Sequence, residues 1–103
     1  MRTYYDTQDI ERDHSGHWFS PPTKRFFRSR IGSQVYQGLG GIYFVSSEQY
    51  RTFAGPLAPR KYTVRRYDPL ADTISTIGDF NALSRSTAHR LAKQYSIEGR
   101  TAH

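Results

Sequence analysis

The polar and apolar residues between Asp6 and His14 suit a helix. Asp6 can cap it, Asp9 and Glu11 fall in or near its positive first turn, and Tyr5 and Ile10 stand at the spacing of a hydrophobic staple. Gly16 supplies a stop. Ser20-Pro21-Pro22-Thr23 then carries the serine–proline pattern of an N-cap and a first helical position. It predicts a short helix over residues 21–28, with Phe26 and Phe27 anchored in the core.

The period changes at Gln34. Gln34-Val35-Tyr36-Gln37 and Ile42-Tyr43-Phe44-Val45 read as two strands around the glycine turn Gly38-Leu39-Gly40-Gly41. Residues 46–60 read as a loop, with Gly55-Pro56 and Pro59 as breakers. Lys61-Tyr62-Thr63-Val64-Arg65-Arg66-Tyr67 is a third strand, rich in β-formers. Asp68-Pro69-Leu70-Ala71-Asp72 makes a turn into a fourth strand, Thr73-Ile74-Ser75-Thr76-Ile77. A last helix runs near 84–95, where Ala88, Leu91, Ala92 and Tyr95 share one face and Arg85, His89 and Lys93 the opposite, polar one. The expectation is an α+β single domain over 1–103. It comprises an antiparallel sheet of three to four strands, with an N-terminal and a C-terminal helix packed on one face.

Composition narrows the chemistry. With 103 residues there is room for one modest core and none for a large enzyme scaffold. Cysteine is absent, which excludes disulfide frameworks, thiolate zinc sites and cysteine nucleophiles. No apolar run approaches the length needed to span a bilayer, and Met1-Arg2-Thr3-Tyr4-Tyr5-Asp6 lacks the apolar core of a signal peptide. The expected setting is the cytoplasm, with no membrane contact.

Charge adds a partner class. Lys plus Arg is 15 against 9 for Asp plus Glu, a net charge of +6, and arginine dominates the cations. Its planar fork suits phosphates and carboxylates, which points to an anionic partner. The cations come in three stretches, at 24–30, 60–66 and 85–100, which a fold could join into one face. Four carboxylates gather in residues 1–13, where helix capping and dipole already account for them. Lys24-Arg25-Phe26-Phe27-Arg28-Ser29-Arg30 and Lys61 to Tyr67 interleave cations with aromatics. On a strand, Tyr62, Val64 and Arg66 share one face and Lys61, Thr63, Arg65 and Tyr67 the other. If the helices cover the first face, the second is a basic, aromatic platform for phosphate contact and base stacking. The alternative is an ordinary solvated face of a one-sided sheet.

Other constellations are weaker. His14 and His17 beside Asp13 have metal-ligand spacing, but Gly16 breaks the turn and no third ligand is near, so no metal and no cofactor is expected. The glycines at 38–41 are followed by a strand rather than a helix, which favours a hairpin over a phosphate loop. Ser46-Ser47-Glu48 carries no local histidine, and no pair of carboxylates converges, so no catalytic residue is expected.

Two resemblances follow. Tyr62-x-Val64, Tyr67-Asp68-Pro69, Gly78-Asp79-Phe80 and a helix with Ala88 and Ala92 resemble the sheet-plus-helix module of the arm-site DNA-binding domains of tyrosine integrases and of plant ethylene-response domains. That resemblance implies that Lys61, Thr63, Arg65 and Tyr67 face DNA. Tyr4 to Ile10, Arg25 to Arg30, Tyr43 to Glu48 and Tyr62 to Arg65 together resemble small uncharacterised proteins of phages, prophages and plasmids. This second resemblance implies a non-enzymatic mobile-element accessory protein, an anti-defence (anti-CRISPR-like) inhibitor in the cytoplasm of a bacterial host. It would bind a host defence or nucleic-acid-processing complex. The alternative is a regulator that binds DNA or RNA directly. Arg25, Arg28, Arg30, Lys61, Arg65 and Arg66 are the expected anion contacts, and Tyr36, Tyr43 and Tyr67 the stacking or interface anchors. Oligomeric state stays open, because the sheet edges could pair in a homodimer or be covered by the 46–60 loop.

Overall fold

A computed structural model of the chain describes residues 3–26, 28–49, 55–56, 58–82 and 84–101, for 79–82 the backbone alone. It holds α1 (Thr7–Asp13), α2 (Pro21–Phe26), β1 (Arg30–Gly38), β2 (Gly41–Glu48), β3 (Lys61–Asp68), β4 (Thr73–Ala82) and α3 (Arg85–Glu98). The strands form one antiparallel meander in the order β1-β2-β3-β4. The α+β class, the four strands and both terminal helices are therefore as the sequence predicts. No helix among the described residues is long and apolar enough to cross a membrane.

Local chemistry explains the elements. Asp6 caps α1 in a full capping box: its side chain accepts from the Asp9 N–H, and the Asp9 carboxylate accepts in return from the Asp6 N–H. The expected staple does not form, because Tyr5 is exposed; Tyr4, one residue earlier, packs in the same cluster as Ile10. Ser84 caps α3 by accepting from the Thr87 N–H, and Gly99 ends the helix in the left-handed region (φ 67). Leu39 and Gly40 turn β1 into β2, with Gly38 opposite Gly41. A side chain at Gly38 would run into the Ser96 backbone of α3, so the hairpin can lie against the end of that helix only as glycine. In the next turn the Asp68 carboxylate accepts from the N–H groups of Leu70 and Ala71.

The helices do not share a face. Alternate residues of β2 feed two cores. Tyr43 and Val45 pack with Val64, Ile77 and the Ala88, Ala92 and Tyr95 face of α3. Ile42 and Phe44 pack with Tyr67, Tyr4, Ile10 of α1 and Phe19. The one-sided sheet is thus corrected to one covered on both faces, by α3 on one side and by α1 with the Trp18-Phe19 segment on the other. Phe19 stacks on Phe44 and Trp18 meets it edge-on. β2 also runs past Val45 to Glu48, so Ser46-Ser47-Glu48 is strand rather than loop. Phe26 is exposed rather than anchored, and Phe27 lies outside the described residues.

Ile10 is fully buried where α1 packs on the sheet. Ile10→Ala is expected to cost about 2–5 kcal/mol of unfolding free energy. Urea unfolding checks this, and a loss well under 1 kcal/mol would show that α1 contributes little to this core.

Candidate anion-binding site

One row of residues runs across the end of the sheet where α3 begins. Arg30 pairs with Ser47, Ser47 with Tyr62, and Tyr62 with Ala82, and the chain then enters α3 at Arg85. Arg30, Ser47, Tyr62, Arg60 and Arg85 line a cavity of about 200 Å³ at this row. Each of the three basic stretches thus delivers one arginine. Arg60 is fixed in place: its Nη1 donates to the Arg28 carbonyl at 2.9 Å and to the Ser47 carbonyl and hydroxyl at 3.1 Å each. Among the described residues no carboxylate pairs with Arg30, Arg60 or Arg85. The N-terminus of the 14-residue α3 adds its partial positive charge at the same place.

A second cleft, of about 590 Å³, adjoins the first through Arg85. Ser33, Gln34, Ser84, Ser86 and His89 complete its lining. The β1–β2 register shifts between Ile31 and Val35, which releases Ser33 and Gln34 from regular pairing beside it. His89 does not lie on the outer face of α3 as its spacing suggests. Its Nδ1 is 3.1 Å from the Tyr36 hydroxyl. Burial, then the Arg85 charge, lowers its pKa from the ordinary histidine value, which favours the uncharged ring.

The other expected site residues fall elsewhere. Tyr43 and Tyr67 are core residues, 0% and 2% exposed, and cannot be surface anchors. Thr63 is buried with them, so the face that the integrase resemblance assigns to DNA is covered. Arg65 is bound inward: Nε donates to Ser46 at 3.0 Å, Nη1 to Thr76 at 2.5 Å and Nη2 to Glu48 at 2.8 Å, with the Trp18 ring 5.6 Å from its guanidinium carbon. Arg66 donates to the Gly40 carbonyl at 2.5 Å and lies 3.6 Å from Asp68. Both are structural. Tyr36 is half-buried and holds His89. Arg25, Arg28, Arg30 and Lys61 are exposed. Arg60, Arg85, Gln34 and His89 were not among the expected contacts; the only sequence signal for the two arginines is their membership of the basic stretches.

The histidine pair is also divided. His14 Nδ1 lies 2.8 Å from Asp72, whose carboxylate also accepts from the Ser15 N–H and hydroxyl and from the Tyr67 hydroxyl at 3.0 Å. This ties the exit of α1 to the β3–β4 turn. It is no nucleophilic triad, because the serine donates to the acid and not to the imidazole. Among the described residues no group of three metal-ligating side chains is found. The hydroxyl of Ser15, then His14 and the Ser15 N–H, hold the Asp72 carboxyl well below the usual aspartate range, while burial and the bond to Asp72 push Tyr67 up.

The family model that matches spans residues 5–94, from the capped start of α1 into α3. The chain belongs to DUF7447, a family of unknown function. No curated protein and no solved structure matches the chain.

Two predictions follow from these environments. A carboxyl lowered on folding stabilises the protein at pH values above the ordinary aspartate pKa of about 3.9, and that contribution disappears as pH falls through the folded-state value. Asp72→Asn, which keeps a residue tolerant of φ 54, is expected to lower the thermal midpoint at pH 7 and to flatten the acid limb of the stability profile. An unchanged acid limb would exclude Asp72 as its source. Arg65→Ala leaves Glu48, 4% exposed, as an uncompensated buried charge and is expected to cost about 3–5 kcal/mol. Arg30→Ala and Arg85→Ala, at exposed positions, should each change stability by no more than about 0.5 kcal/mol. Denaturant titration of the three variants separates the structural arginine from the free ones.

Proposed function

We propose that this protein is a non-enzymatic binding protein that grips the phosphates of a nucleic acid through its arginine pole. The observation that carries the reading is the convergence of Arg30, Arg60 and Arg85 on one cavity, without a carboxylate among the described residues to neutralise them. Three guanidinium forks around a space of about 200 Å³ suit an oxyanion, and exposed Arg25, Arg28 and Lys61 extend the positive field outward. Binding rather than catalysis is supported by the lining itself. It offers cations, hydroxyls, a carboxamide and the His89 imidazole, and among the described lining residues no carboxylate that could serve as a base or orient that ring. The setting proposed is the bacterial cytoplasm.

A second reading is an anti-defence inhibitor of phage or other mobile-element origin that docks the same pole into an acidic groove of a host nucleic-acid-processing complex. Phe26 favours it: an aromatic side chain, 79% exposed, in a stretch that also carries Arg25 and Arg28 is typical of protein interfaces.

Salt separates the two. Binding to labelled single-stranded DNA, duplex DNA and duplex RNA is expected to weaken steeply as salt rises. Arg30→Ala with Arg85→Ala, which removes most of the grip on one phosphate, should lower the slope of log K against log salt by up to about 1. Arg12→Ala, paired with Asp9 on α1, should leave it unchanged. Absence of binding to all three at low salt would reject the direct nucleic-acid reading and leave the protein partner.

A further inference from the structure

The arginine cavity has a neighbour of different chemistry, and the pair says more than the cations alone. Arg85 lines both spaces. On one side lie Arg30 and Arg60. On the other lie a carboxamide, hydroxyls and an imidazole, with no Lys or Arg besides Arg85 among the described lining residues. A second phosphate would find little there. A neutral group carrying both donors and acceptors would find Gln34, which offers both, and the hydroxyls of Ser33, Ser84 and Ser86, which do the same. The size also fits: about 590 Å³ lies within the roughly 300–1,000 Å³ typical of sites for small organic ligands, whereas the arginine cavity, at about 200 Å³, falls below that range.

We propose that the two spaces form a single nucleotide site, with the phosphate among Arg30, Arg60 and Arg85 and the base in the cleft of Gln34 and His89. The inference rests on the phosphate-binding reading above and deepens it by naming the form of nucleic acid. A duplex presents its phosphates outward and keeps its bases stacked and paired, so it can fill the first space but not the second. A single strand has unstacked bases that can leave the strand and be read on their edges. The ligand class is therefore single-stranded nucleic acid, engaged through one unpaired nucleotide. β1 supports this placement: it is an edge strand, and its register shift brings Ser33 and Gln34 to the cleft.

The experiment is an NMR titration of the intact protein with inorganic phosphate, an unphosphorylated nucleoside, the four nucleoside 5′-monophosphates, and an oligonucleotide in single-stranded and duplex form. At least one monophosphate is expected to bind about 10-fold or more tighter than inorganic phosphate and to move the His89 imidazole signals, which phosphate alone should leave nearly still. Gln34→Ala, at an exposed position, should weaken single-strand binding about 3–10-fold while leaving duplex affinity and salt slope as they were. His89→Gln is the companion variant, with its fold checked by the same spectra. If monophosphates bind no tighter than phosphate, or the duplex binds as well as the single strand, the nucleotide site is rejected while the arginine cavity keeps its role as a phosphate contact. If neither phosphate nor any polyanion binds, this inference and the reading beneath it fail together.

Discussion

The structure turns on β2, which is buried from Ile42 to Glu48. It pairs on both edges, and helices or the Trp18-Phe19 segment cover both of its faces. Its first half meets this with apolar side chains and one hydroxyl, that of Tyr43, which donates to the Arg100 carbonyl. Its second half, Ser46-Ser47-Glu48, is polar, and buried polar groups must find partners or cost free energy. The fold answers with arginine on each face: Arg65 reaches Ser46 and Glu48 on the α1 side, and Arg60 reaches Ser47 on the α3 side. That demand decides which cations are consumed by the fold and which remain for a partner. Even so, one Glu48 carboxylate oxygen, Oε2, has no partner among the described residues. The pair with Arg65 is thus a requirement of the buried strand rather than a surplus of stability.

The same strand sets up the candidate anion site. Because residues alternate between faces, the row that holds Ser47 also holds Arg30 and Tyr62, all on the side of α3. The β4–α3 connection is short, so α3 starts at the end of that row and brings its N-terminus, Arg85 and the hydroxyls of Ser84 and Ser86 with it. Arg60 is anchored by the polar half of β2 yet still lines the cavity. A guanidinium held by three protein oxygens loses less freedom when an anion arrives, which is how preorganisation favours binding.

Much of the fold was legible. The Asp6 cap, the hairpin at Leu39-Gly40, the Asp68 turn and the Ala88, Ala92 and Tyr95 face of α3 each follow from local chemistry and need no tertiary partner to be recognised. The number of covered faces differs from the one-sided expectation, although Ile42-Tyr43-Phe44-Val45 is an unbroken, mostly apolar run of the kind that belongs to a strand covered on both sides. Reading the sheet as one-sided placed Tyr43 and Tyr67 on a surface that does not exist. The site was harder to see for a different reason. Arg65 and Arg60 are five residues apart on one basic stretch, and nothing in their neighbours distinguishes the arginine that serves Glu48 from the one that lines a cavity. Only the β2–β3 register does, by setting Arg65 opposite Phe44, two residues along the same face from Ser46. His89 was hidden similarly: helical spacing sends it outward, and the Tyr36 hydroxyl across the gap to β1 draws it to the sheet.

The contrast between the two sets of arginines is the strongest argument for a ligand. Arg65 and Arg66 have carboxylates, and each is enclosed by the groups it serves. Arg30, Arg60 and Arg85 crowd one cavity with a helix N-terminus of the same sign and with no counter-charge among the described residues. Like charges at close range repel, so this arrangement works against the folded state rather than for it. Arg60 has a structural reason to be present in its bonds to Ser47 and Arg28; Arg30 and Arg85 show none. Local rules are broken in this way most often where function requires it. An incoming anion removes the repulsion that the free protein carries, and the more charge it brings in a compact group, the greater the relief. A phosphate linked to a neutral base matches both halves of the surface that this crowding creates.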